Sequence, residues 1–140
     1  MYILAFRDMH ATPNDRRRMK KTLLILAGFL AVTVAATAGD PVAGRKVYIS
    51  RCQTCHSVEK GGPNRLGPAL FGIMGKKAGS LPGYAYSKPV KNSNIVWNDD
   101  ILRRWLKQPN QTMPGTRMAF AGLSNPKQVD DLIAYMHTLK

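Results

Sequence analysis

Two cysteines and a histidine stand within five consecutive residues, Cys52-Gln53-Thr54-Cys55-His56, and the chain has no other cysteine. Two thiols three positions apart on one irregular helical turn can each add to a vinyl group on the same edge of a haem. The next residue, His56, is then delivered under the iron as an axial ligand. Other readings of the pair fit less well. A thioredoxin-like redox pair needs a βαβ surround, and no such strand pattern is present. A zinc site needs two further ligands, but only His10 and His137 remain to supply them. A disulfide across two intervening residues is strained and leaves His56 unexplained. Covalent attachment of one haem c through Cys52 and Cys55 is the reading that uses all three side chains.

The elements that must position this motif lie downstream of the chain's first 38 residues. Lys20-Lys21 precedes an uncharged apolar run from Leu23 to Ala36, followed by Ala36-Thr37-Ala38-Gly39. A basic start, a short apolar stretch and a small-x-small junction describe an export signal cleaved after Ala38. The run is shorter than the ~20 residues of a comfortable membrane span, which makes a retained anchor the alternative. Met19 begins the signal better than Met1, so residues 1–38 divide into an N-terminal extension and a signal peptide with its start at Met19. Arg16-Arg17-Arg18 lacks the flanks of a twin-arginine signal and reads as a basic leader. An exported chain belongs to the periplasm, where covalent bonds keep a haem from being lost.

Residues 39–140 form the single remaining domain. Asp40-Pro41 is an N-cap followed by proline at the first helical position, opening a helix to about Ser50 in which Gly44, Val47 and Tyr48 share a face. From Glu59 to Gly83, glycines and prolines punctuate the chain every few residues and predict loop. Asn98 or Asp99 caps a second helix with a stripe of Ile101, Leu102, Trp105 and Leu106, stopped by Pro109. Ser124-Asn125-Pro126 opens a third, in which Val129, Leu132, Ile133 and Met136 fall at i, i+3, i+4 and i+7. The expectation is an all-α fold of three main helices and long loops wrapped around the haem, whose flat macrocycle supplies the apolar core that so small a domain lacks.

The iron needs a sixth ligand or an open site. His137 reads as a surface residue near the C-terminus, and His10 leaves with the signal. Of the methionines, Met136 lies on a helix stripe and reads as core, and nothing local marks Met74. Met113 and Met118 flank the Pro114-Gly115 turn, where irregular backbone can present a thioether. The residues alone leave both open.

Several stretches resemble one family. Cys52-Gln53-Thr54-Cys55-His56-Ser57-Val58-Glu59, Gly67-Pro68-Ala69-Leu70, Gly83-Tyr84-Ala85-Tyr86-Ser87, Trp97, Pro114-Gly115-Thr116-Arg117-Met118-Ala119-Phe120-Ala121-Gly122 and Asp131-Leu132-Ile133-Ala134-Tyr135 are similar to the signatures of class I cytochromes c of the mitochondrial and bacterial c2 type. The resemblance runs along nearly all of residues 40–140. It implies Met118 as the second axial ligand and Pro68 as the carbonyl that orients His56. It also implies Tyr86, Trp97 and Thr116 as hydrogen-bond donors to a buried propionate, and Gly44 and Tyr48 packed against Leu132 and Tyr135. Three positions depart from the family's pattern. Lys76 stands where an arginine usually meets a propionate, Val90 where asparagine is common, and Trp105 where tyrosine is common.

The function so implied is one-electron shuttling by a soluble periplasmic carrier with histidine and methionine on its haem iron. A bc1-type complex is the implied donor, and a terminal oxidase or photosynthetic reaction centre the acceptor. The leader holds six of the chain's 21 basic and two of its 8 acidic residues, so the remainder carries a formal +9. That charge favours transient binding to acidic faces, with Arg51, Arg65, Lys107 and Arg117 as a docking ring beside the Asn110-Gln111 interruption. Scattered cations and the absence of a nucleic-acid module argue against nucleic acid, and a monomer is expected. Service to one periplasmic dehydrogenase is the alternative role. A haem peroxidase, the enzyme reading, lacks a distal histidine.

Overall fold

The computed structural model describes residues 39–140, and the expectations for residues 1–38 lie outside it. Asp40 caps the first helix, α1 (Pro41–Arg51), by accepting a hydrogen bond from the Val42 amide at 2.8 Å, and Pro41 gives up no needed donor at the first position. α1 ends where the Cys52 amide turns back to the Tyr48 carbonyl, and the chain passes directly into the cysteine motif.

Two short helices then appear that the spacing does not reveal, α2 (Lys88–Asn92) and, further on, α4 (Pro109–Thr112). Between them lies α3 (Asp99–Lys107), whose Asn98 carboxamide accepts from the Ile101 amide at 2.9 Å. Asp99 and Asp100 in its first turn and Arg104 and Lys107 in its last complement the helix dipole. Pro109 does stop α3, because a residue preceding proline is driven out of helical conformation and Gln108 lies at φ −150°, ψ 81°. The same proline then opens α4, so it both ends one helix and starts the next. The last helix, α5 (Pro126–Thr138), is capped by Asn125. Among the described residues, extended pairing is limited to one antiparallel bridge, Lys77 with Val96.

α1 packs across α5, as the family resemblance implies, and α3 packs against α4 and α5. The α1–α5 crossing is fixed by a residue without a side chain. A Cβ on Gly44 would lie 1.9 Å from the Asp131 carbonyl oxygen. Tyr48 meets Tyr135 beside this contact, with ring centroids 5.7 Å apart, and Leu132 is almost wholly buried.

A charge is buried at the same crossing. The Asp131 carboxylate is nearly inaccessible, yet it accepts from the Asp40 amide at 2.7 Å and from Lys127 Nζ at 2.8 Å. These bonds, the Lys127 one first, hold its acidity below the usual carboxylate value. The carboxylate therefore ties the start of α1 to the middle of α5.

Two outcomes follow from this crossing. Gly44→Ala forces the helices apart and costs about 3 kcal/mol, read from thermal unfolding of the holo-protein; an unchanged melting temperature contradicts the close approach. Asp131→Asn removes a group whose folded pKa is depressed. Its ionisation stabilises the fold fully above the unfolded carboxylate value of ~3.9, and that contribution is lost as pH falls from there through the lower folded value. The gap in melting temperature between wild type and Asp131→Asn is thus full at pH 7 and closes below about pH 4; a gap independent of pH excludes the carboxylate's charge as its cause.

Candidate cofactor site

The cysteine motif leaves α1 as tight turns, with the Cys55 and His56 amides both directed at the Cys52 carbonyl, 3.0 and 2.9 Å away. The loop that follows is pinned along its length. Tyr48 donates its hydroxyl to the His56 carbonyl at 2.7 Å, Ser57 donates to the Pro63 carbonyl, and Gly67 returns its amide to the Cys55 carbonyl at 2.8 Å.

These contacts place the His56 imidazole. Its Nδ1 lies 2.7 Å from the Pro68 carbonyl oxygen. A carbonyl can only accept, so Nδ1 carries the proton and Nε2 keeps its lone pair. Burial lowers the pKa of this histidine, against the smaller opposing effect of the Pro68 bond, and keeps the ring neutral. The ring is stacked so closely on the loop that a Cβ at Gly67 would lie 2.3 Å from its Cε1. Glycine is required there by close approach and not by its backbone angles.

His56 borders a cavity of about 390 Å³, and so do seven further residues to which the sequence assigns a place at the haem. Cys52, Cys55 and His56 come from the motif, Pro68 from the glycine-rich loop, Tyr86 and Trp97 from the middle of the chain, and Thr116 and Met118 from the turn after α4. The topology separates the two methionines that the sequence left open. Met118 lines the cavity, whereas Met113 is buried in the core away from it. Met136 is core, as its helix stripe suggested, and borders with Met118 a smaller adjoining space of about 60 Å³. His137 is half exposed, pairs with Asp99 at 2.7 Å and does not line the cavity.

The donor set fits a haem. Cys52 and Cys55 stand at the cavity wall with no disulfide joining them, which leaves both sulfurs available for thioether bonds. Apolar walls come from Leu70, Ile73, Val90 and Phe120. Among the described residues, one buried side-chain polar atom lacks a partner, the Oγ of Ser87, and Ser87 lines the cavity. It also sits at the N-cap of α2 without making a capping bond. A hydroxyl so placed awaits an acceptor brought by the ligand, as a haem carboxylate would be. In the sequence Ser87 only closes the Gly83–Ser87 stretch and has no assigned role, because a serine beside a short helix shows none until its missing bond is seen. Burial raises the Tyr86 phenol pKa, outweighing a backbone hydrogen bond from Leu81, so this residue keeps its proton and is available as a donor.

The departures also find their places. Val90 and Trp105 are buried at the cavity wall, and Trp105 meets Trp97 edge-on with centroids 5.5 Å apart. Lys76 is not among the lining residues; its Nζ is directed towards Gly72. Of the basic ring, Arg51 and Arg117 border the cavity, Arg65 donates to the Gln53 carbonyl, and Arg117 donates to the Ala85 carbonyl.

Comparison with known proteins agrees with this geometry. The family profile Cytochrome c matches residues 41–140. Cytochrome c of Euglena viridis is 50% identical over 102 residues, 73% of this chain and 99% of that protein. Cytochrome c2 of Blastochloris viridis is 38% identical over 118 residues, covering 84% of this chain and 92% of the relative. Among solved structures, cytochrome cH from Methylobacterium extorquens superposes with a TM-score of 0.66 at 46% identity, over 71% of this chain and 99% of the other. The all-α frame and the matches along nearly the whole described chain agree, and the chain belongs to the cytochrome c family, electron carriers and not enzymes, built on one covalently bound haem c.

Proposed function

We propose that this chain is a soluble periplasmic one-electron carrier in which His56 and Met118 would supply the two protein ligands of the haem iron. The observation that carries the ligand assignment is the cavity itself, which Met118 lines and Met113 does not. When bound, the haem supplies an iron that accepts and returns one electron.

The chain's residues do the rest. Cys52 and Cys55 hold the group by two thioether bonds, so dilution outside the cytoplasm does not remove it. The Pro68 carbonyl fixes the tautomer of His56 and makes its Nε2 a better donor. The Met118 thioether would serve the iron as a soft ligand, which favours the reduced state. Trp97, Tyr86, Thr116 and Ser87 offer N–H and O–H donors to the propionate end, which lets a carboxylate be buried without losing all its hydrogen bonds.

Electrons enter and leave at the cavity's edge, where Arg51 and Arg117 lie exposed. The formal +9 of residues 39–140 steers this edge towards acidic faces of a bc1-type donor and an oxidase or reaction-centre acceptor. Partners that must separate after each electron are served by weak, fast, salt-sensitive complexes. The leader fits the same setting, as an extension before Met19 and a signal removed after Ala38.

The ligand assignment is tested by visible spectroscopy of the oxidised protein. Met118→Ala abolishes the weak red-edge sulfur-to-iron band and Met113→Ala retains it; the reverse pattern transfers the role to Met113. Intact mass of the exported protein tests the leader, with a chain beginning at Gly39 plus one haem expected. A mass that includes residues 19–38 contradicts cleavage and favours the anchor.

A further inference from the structure

Residues 81–86 form part of the cavity wall, yet among the described residues no backbone-to-backbone hydrogen bond reaches them. Tyr84 and Tyr86 line the cavity while Pro82, Gly83 and Ala85 are exposed, so the segment stands between the cavity and solvent. A stretch without backbone pairing opens at little cost unless side chains hold it. Three side chains from other loops or from the segment itself do so here. The Asn64 carboxamide donates to the Pro82 carbonyl at 3.3 Å, the Tyr84 hydroxyl donates to the Leu66 carbonyl at 2.7 Å, and the Arg117 guanidinium donates to the Ala85 carbonyl.

Where these bonds end is the informative part. Leu66 precedes Gly67, whose amide bonds the Cys55 carbonyl, and Pro68, whose carbonyl accepts from His56 Nδ1. Asn64 belongs to the same loop and braces it from within, since its Oδ1 accepts from the Ala69 amide at 2.9 Å. Two of the three bonds therefore lead to the loop that orients His56. The third leads to the opposite loop, because Arg117 is the neighbour of Met118. A Cβ on Gly115 would lie 3.1 Å from Pro89 Cγ, so the Pro114-Gly115 turn also rests on the start of α2, into which the segment runs. Among the described residues no hydrogen bond runs directly between residues 57–70 and 113–122. Residues 82–85 are the hydrogen-bonded link between the two loops. Tyr84 is a stiff fastener in that link, its ring held edge-on against Tyr86 with centroids 4.8 Å apart.

We infer that Tyr84 and Arg117 are positioning residues that fasten residues 82–87 as a strap across the cavity, so that the loop orienting His56 and the loop carrying Met118 loosen together. The two fasteners act in series. Loss of either one detaches the strap from a loop and removes the support that each loop lends the other. The strap thereby restrains the entry of outside ligands on the Met118 side. This consequence at the iron rests on the proposed ligand pair, whereas the coupling of the two loops does not.

The test is amide hydrogen exchange of the holo-protein. The reporters are Gly67 and Leu70, which bond Cys55 and Ser57 in one loop, and Thr116 and Phe120, which bond Met113 and Met118 in the other. Tyr84→Phe keeps the ring and removes only the donor. It speeds exchange in both loops by about fivefold, as loss of one ordinary hydrogen bond does, and leaves Leu132 and Ile133 of α5 unchanged. Arg117→Gln gives the same pattern from the other side, and the double variant exceeds either single one by much less than their product. The charge-matched Lys46→Gln, on α1, changes none of the reporters. Imidazole added to the oxidised protein binds more tightly in the same order of variants, read from the sulfur-to-iron band. The inference is overturned if Tyr84→Phe speeds only Gly67 and Leu70, if it speeds none of the reporters, or if the two effects multiply in the double variant, which marks independent local contacts. A band that survives Met118→Ala overturns the ligand pair instead and leaves the exchange result to decide the strap.

Discussion

The hydrogen bond from His56 Nδ1 to the Pro68 carbonyl, 2.7 Å long, is the interaction on which the site's chemistry depends. It fixes the tautomer, and with it the identity of the nitrogen left free to bind a metal. It also joins two loops of irregular backbone that no helix would otherwise hold together. The neighbouring bonds are arranged around it. Gly67 to Cys55, Leu70 to Ser57 and Tyr48 to His56 all tie the glycine-rich loop or α1 to the motif. Pro68 lies twelve positions beyond His56, and closing such a loop costs entropy that several bonds share. The covalent thioethers work in the same direction, since a loop already tethered to its ligand has less freedom to lose.

The helices supply the frame for these loops, and the frame is set at one point. Backbone of α1 and α5 touches at Gly44 and Asp131, so the direction in which α1 delivers Cys52 is fixed by the α5 it crosses. A buried carboxylate at this crossing is stabilising only because it is fully engaged, by an amide at the start of α1 and by an ammonium on its own helix. At the chain's other end, a Cβ on Gly122 would lie 2.0 Å from the Lys107 carbonyl oxygen, and its φ of 97° suits glycine alone. That close approach returns the Met118 segment to the end of α3, and the Leu123 amide completes it by bonding the Leu106 carbonyl. Both walls of the cavity are thereby referred to the same set of crossed helices.

Much of this was legible in the sequence because the signals are local. Asp40-Pro41, Asn98 and Asn125-Pro126 announce helix starts by caps whose partners lie two or three residues away. Cys52, Cys55 and His56 announce their chemistry by spacing alone. Met118 could not be separated from Met113 in this way. Both flank one turn, and only the path of the chain around the cavity decides which thioether faces inward; family resemblance carried that information and local physics did not. α2 and α4 stayed hidden for another reason. At five and four residues they are too short to show a period, and each has proline in its first turn, where it reads as an interruption. Ser87 and Lys76 depend on the direction of a side chain, which no spacing encodes.

The replacement of polar residues by Val90 and Trp105 bears on the electronic property that matters most to a carrier. Both are buried and line the same cavity as Met118, so this part of the lining is less polar than the asparagine and tyrosine of the pattern that the chain resembles would make it. Loss of an electron adds positive charge to the centre, and a charge in an apolar lining is solvated poorly. On the proposed ligand set, this disfavours the oxidised form and moves the potential in the same direction as the thioether itself. The lining also contributes through rigidity. Trp105 is held edge-on by Trp97, and both are buried, so there is little at that wall to reorient when the charge changes. A polar network would stabilise one oxidation state by turning its dipoles and would have to turn them back. Two packed indoles and a valine favour one state from the outset and leave fewer dipoles to move during each exchange.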